Sequence, residues 1–172
     1  MFLSELLGPY VGAFVLWGLL MALLFNIVSF SSHENRVNSP LFLSLIIFLS
    51  YLATSHTHNS SEMYIYYFYA DILTIALISI YIYYTADRYP AQLYCILALV
   101  FNACLFLYMH IDLHVNGNVE PWWFWTFYSF GINVADTIII VSLIINKDFL
   151  GLCRIGRFLK ASLAPKKVGD NG

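Results

Sequence analysis

Charge is scarce in this chain. Of 172 residues 10% are charged and 60% are hydrophobic, and the mean hydropathy is +0.74. A soluble domain carries about a quarter charged residues, so a water-facing surface over most of the chain is excluded. Cysteine is nearly absent: Cys95, Cys104 and Cys153 form no C-x-x-C and none falls in an expected external loop, so no disulfide framework is expected. The sequence also lacks G-x-x-x-x-G-K-[ST], G-x-S-x-G, G-x-G-x-x-G and a soluble lobe to hold such sites, so the reading leans away from an enzyme. "MFLSELLGPY" has no basic n-region, and no small-residue cleavage site follows the first apolar run. A removable signal peptide is not expected. Nothing points to nucleic acid except a basic tail that lipid explains better.

What remains is apolar, in five runs at about 9–30, 40–56, 63–85, 91–112 and 122–146. Crossing ~30 Å of hydrocarbon takes about 20 residues of helix, so the expectation is all-α: a polytopic transmembrane bundle of five spans over residues 1–146. The second run is the shortest. Ser39 and Pro40 suggest an N-cap and first helical position for it, and Pro90 and Pro121 are expected to open the fourth and fifth runs in the same way.

Lysine and arginine mark the cytoplasmic side. Arg36, Arg88, Lys147, Arg154, Arg157, Lys160, Lys166 and Lys167 all fall on one side if there are five spans with the N-terminus out and the C-terminus in. A re-entrant second run would put Arg88 outside. The reading is therefore five spans in a bacterial-type inner (plasma) membrane. Tyr81, Tyr83, Tyr84 and Tyr89 at one face, and Trp122, Trp123 and Trp125 at the other, read as interfacial belts. Residues 147–163 set Phe149, Leu152, Ile155, Phe158 and Leu159 against basic residues, as expected of an amphipathic helix on anionic lipid headgroups. Residues 164–172 read as a disordered tail. Gly8 and Gly12 have a weak helix-dimer spacing, which leaves a homo-oligomer as a candidate, and the basic C-terminal helix leaves a cytoplasmic protein as a candidate partner.

Two carboxylates interrupt the apolar runs. Asp71 lies in "MYIYYFYADILTIALISIYIYY" and Asp136 in "NVADTIII", with no Lys or Arg inside any run to pair with them. An ionised Asp in mid-span costs on the order of 3 kcal/mol by insertion scales. Three solutions exist: a protonated, hydrogen-bonded carboxyl, a wet cavity, or a bound cation. Steps of three and four put Tyr64, Tyr67, Asp71, Thr74, Ile78 and Tyr81 on one face, and Thr126, Ser129, Asn133 and Asp136 on another. Asn102 adds a polar group to the fourth span. The expected proton or cation pathway is Asp71, Asp136, Asn133, Thr74, Tyr67 and Asn102.

Four of the five histidines fall on the expected outer side. His56, His58, His110 and His114 form a candidate divalent-metal constellation, His110 and His114 sharing a face at i and i+4, with Asp112 either supporting them or facing away. Loop histidines and a pH sensor are the alternatives, and haem is a remoter one. The leading functional expectation is passage or sensing of a proton or small cation through a polar core. Its rivals are a sensor or interaction subunit recruiting a cytoplasmic partner, a metal- or haem-carrying membrane subunit, and a pore of the lysis or toxin type.

Overall fold

The computed structural model describes residues 2–31, 39–55, 62–85, 89–148 and 151. Apart from short connections, chiefly 116–122 and 146–148, these are helical, with no strand among them. The helices are α1 (Phe2–Ser31), α2 (Ser39–Thr54), α3 (Met63–Thr85), α4 (Pro90–His110) and α5 (Trp123–Ile145), and α4 runs on into a π-helical turn at Ile111–Val115. Four segments are long and apolar enough to cross a membrane: Tyr10–Ser31, Met63–Thr85, Pro90–Val115 and Trp123–Ile145. At 1.5 Å per residue the 16-residue α2 reaches only about 24 Å.

Local chemistry sets several of the helix ends. Pro90 occupies the first turn of α4, where its missing N–H costs nothing, and the Gln92 side chain accepts from the Tyr89 N–H at 3.0 Å. Pro40 lies in the first turn of α2. Pro121 differs from expectation: Trp122 is the N-cap of α5, so this proline precedes the helix and shapes the loop instead. Asn146 ends α5 in the left-handed region (φ 47°, ψ 38°), its N–H returning to Ser142 O at 2.9 Å. Asn is one of the few residues that accept that conformation cheaply.

Each helix packs on its neighbours in sequence, and α1 closes the ring against α5. Phe42, at the start of α2, meets Tyr81, near the end of α3, with ring centroids 5.8 Å apart. Ser50, further along α2, meets Thr74, earlier in α3. These two helices are therefore antiparallel along most of α2.

Two apolar clusters fill the bundle. The larger joins Leu19, Leu43, Ile47, Ile78, Cys95, Leu99, Ile139 and Leu143 at the end where α1, α3 and α5 finish. The smaller, built on Leu105, Met109 and Phe124, caps the other end with aromatic neighbours Tyr64, Trp122, Trp125 and Tyr128. Gly131 lets α5 approach α4, since a Cβ there would meet Leu105 Cδ1 at 3.0 Å and Phe101 Cε1 at 3.2 Å. The outer surface is as apolar as the interior: Phe14 is 70% exposed, Leu73 62% and Phe130 70%. Polar side chains gather inside while large apolar ones face out, as lipid requires and water penalises.

Candidate functional site

Between the two apolar clusters lies a polar layer to which four helices contribute. From α3 come Asp71 and Thr74, one turn apart on its buried face; α2 brings Ser50 and Tyr51, α4 brings Asn102, and α5 brings Asp136. Asp71 (6% exposed), Asp136 (6%), Thr74 (1%) and Asn102 (1%) are buried in this layer.

Asp136 is held from two sides. The Tyr51 hydroxyl donates to its Oδ1 at 2.6 Å, and the Asn102 amide Nδ2 donates to the same oxygen at 2.8 Å. Thr74 Oγ1 lies 2.7 Å from the Ala70 carbonyl and 2.6 Å from Ser50 Oγ. A carbonyl can only accept, so the Thr74 proton goes to Ala70 and Ser50 supplies the proton of the other bond. Asp71 and Asp136 lie within electrostatic reach of each other, and Tyr128 is within reach of both. No Lys or Arg lies in any of the described helices. Two acceptors in the layer, Asp71 Oδ2 and Asn102 Oδ1, are buried without a hydrogen-bond partner among the described residues.

The sequence-predicted residues divide. Asp71, Thr74, Asn102 and Asp136 come together in the layer. Tyr67 is half-buried nearer the aromatic end, its ring 5.2 Å from that of Phe106. Asn133 is half-buried too, but its amide donates to Ser129 O of its own helix at 2.6 Å. Thr126 and Ser129 are exposed, so the α5 stripe leaves the interior beyond Asp136. Tyr51, Ser50 and Tyr128 were missed. The available signal was Leu43, Ile47 and Tyr51 at steps of four on one face of α2, which carries a hydroxyl partner to a carboxylate in another span.

At the aromatic end His110 and His114 stack, with ring centroids 4.6 Å apart and planes at 23°. His56 and His58 lie outside the described residues, and among the described residues no three His, Cys, Asp or Glu side chains converge as metal ligands. The helix expected over 147–163 and the tail at 164–172 also lie outside, except for Lys147, Asp148 and Gly151.

Asp112 faces the tryptophans. Its Oδ2 accepts from Trp122 Nε1 at 2.9 Å and Trp125 Nε1 at 3.0 Å, and its Oδ1 accepts from Asn118 Nδ2 at 3.3 Å. Two of the three clustered tryptophans thus have a specific partner in addition to any interfacial role. Compared with protein-family models, curated proteins and solved structures, the chain matches none.

Proposed function

We propose that this chain is a five-span inner-membrane protein, N-terminus out and C-terminus in, that takes up a proton or small cation at the Asp71–Asp136 pair and passes or senses it. The single observation that carries this reading is the presence, in one polar layer and within electrostatic reach of each other, of two buried carboxyls from different helices with no basic side chain among the described residues to offset them. In a medium of low dielectric two uncompensated negative charges repel strongly and lack hydration. Such a pair is stable when it holds a positive charge, and reversible occupancy by that charge is the elementary act of a proton or cation site.

The flanking groups support the reading. Tyr51 and Asn102 hold Asp136 in place by charge-assisted donors. Asp71 lacks such support at Oδ2 and keeps a lone pair for an incoming charge. Asp71→Asn and Asp136→Asn keep shape and remove the charge. In vesicles carrying the purified protein, pH- or cation-driven flux is expected to fall to the level of protein-free vesicles for each variant, with insertion and melting temperature largely retained. Full flux in both variants would make the carboxyls helix-packing groups.

A sensing role gains support from a separate feature. Ile47, Ile78, Leu99, Ile139 and Leu143 are all at most 1% exposed on one side of the polar layer. This floor toward the end where α5 finishes is mainly apolar, with only a few buried polar groups such as Ser44, Ser142 and the Cys95 thiol in it, so a charge reaching the pair from the aromatic end meets little polar support beyond it. A sensor would respond to occupancy without net flux, and Asp-dependent occupancy with zero flux would select it.

A further inference from the structure

The donor inventory of the polar layer specifies more than a charge. The Tyr51 hydroxyl is used on Asp136, the Asn102 amide on Asp136, the Ser50 hydroxyl on Thr74 and the Thr74 hydroxyl on Ala70. Each of these groups is committed, and Tyr128, the other hydroxyl within reach of both carboxyls, bonds neither of them, so that Asp71 Oδ2 and Asn102 Oδ1 remain buried and unpartnered among the described residues. An unmet buried acceptor is costly. The Asn102 amide nitrogen bonds Asp136 Oδ1, so the carbonyl oxygen of the same planar amide lies in the same polar layer, one amide width from that bond. The Thr74–Ser50 bond draws Asp71's own turn of α3 against α2 next to Tyr51, the residue that holds Asp136.

The geometry points to a binding site for a small monovalent metal cation, of the sodium class, coordinated by Asp71, the Asn102 side-chain carbonyl and Asp136. This rests on the carboxyl pair being the functional site and names its ligand. The donor atoms are oxygens of carboxylate and amide carbonyl, a hard set with no imidazole or thiolate, which excludes preference for zinc or copper. Divalent ions fit poorly. Calcium takes about 6–8 oxygens and magnesium gives up water reluctantly, whereas Asp136 Oδ1 is already engaged by two donors and the hydroxyls of Ser50 and Thr74 bond each other and the α3 backbone. A proton would settle Asp71 alone; it gives the Asn102 carbonyl a partner only if Asp71 donates to it. A metal cation can bind both oxygens and lie between the two negative charges at once.

The test is a melting experiment on the purified full-length protein in detergent, with NaCl replacing choline chloride at constant total salt and pH, and with LiCl and KCl in parallel. A ligand that binds only the folded state raises the melting temperature in a saturable way. Sodium and lithium are expected to give that rise and potassium a weaker one. Asp71→Asn and Asn102→Leu are each expected to lose the shift relative to their own melts in choline, a comparison that also shows they are folded. Identical curves in sodium and choline, or a full sodium shift in Asp71→Asn, would overturn the inference. If sodium has no effect while vesicles still show proton flux, or the protein still shows proton occupancy, that requires Asp71, the cation assignment falls and the proposed function stands; if none of these is seen, both fall.

Discussion

At Asp136 a tyrosine hydroxyl and a carboxamide converge on one oxygen, whereas Asp71 Oδ2, on the facing helix, receives neither. The two aspartates were conspicuous in the sequence because a carboxylate inside an apolar run is a compositional anomaly with a known cost. Tyr51 was not, since tyrosine is common throughout these spans, and its four-residue spacing from Leu43 and Ile47 marks an inward face without saying which carboxylate it reaches. The misleading residues on α5 have a geometric cause. At 100° per residue, Thr126 and Asn133 lie about 60–80° beyond Asp136, and the face that α5 buries runs the other way through Phe124, Gly131, Ala135 and Ile139. Asp136 is thus at the edge of the buried face, and the polar stripe turns away from it. Tyr51→Phe tests the support directly. It removes one donor and no volume of note, and interhelical hydrogen bonds in membranes average ~0.6 and reach ~1.7 kcal/mol. A loss of about 1 kcal/mol in reversible unfolding is expected, with the fold intact and occupancy of the site weakened. Unchanged stability together with unchanged occupancy would show that the Tyr51 contact contributes nothing.

Among the elements, the junction of α4 and α5 carries the most specific chemistry. α4 continues into a π-helical turn, Gly117 takes φ 64°, and Asp112 receives the indole N–H groups of Trp122 and Trp125 from the start of α5. Tryptophans at a membrane interface are expected on general grounds, so their clustering in the sequence pointed to a belt and hid the shared acceptor. The fold class was legible because helix length and apolarity are properties of contiguous residues. This pin was not, because it joins positions 10 and 13 residues apart across a turn whose path the sequence does not dictate. Asp112→Ala leaves both indoles without their acceptor and should loosen the α4–α5 junction. The expected result is a lower melting temperature and a red-shifted, more quenchable tryptophan emission, with Asp112→Asn intermediate because it keeps one acceptor oxygen. Emission and melting that match the parent protein in Asp112→Ala would remove the pin as a stabilising element.

For the molecule as a whole, the decisive question is whether α2 crosses the membrane, since that fixes which faces the two ends of the polar layer address. Its length argues against it: about 24 Å falls short of ~30 Å of hydrocarbon. Its contacts argue for it. Leu43 and Ile47 lie in the main core, Phe42 meets the late residue Tyr81 of α3, and Tyr51 reaches Asp136 in the central layer, so α2 is built into the ring antiparallel to α3. A short span can be accommodated by local bilayer thinning at a cost of fractions of a kcal/mol per Å. Five crossings place all eight lysines and arginines on one side, which a re-entrant α2 cannot do. A reporter active only outside the cytoplasm, fused after Val37, after Ser60 and at Gly172, separates the cases. The expected pattern is silent, active, silent. Activity after Val37 with silence at Gly172 would mean that α1 begins on the inside and α2 does not cross, leaving four spans. Activity at Gly172 would reverse the orientation and turn the aromatic end, with Asp71 nearest to it, toward the cytoplasm.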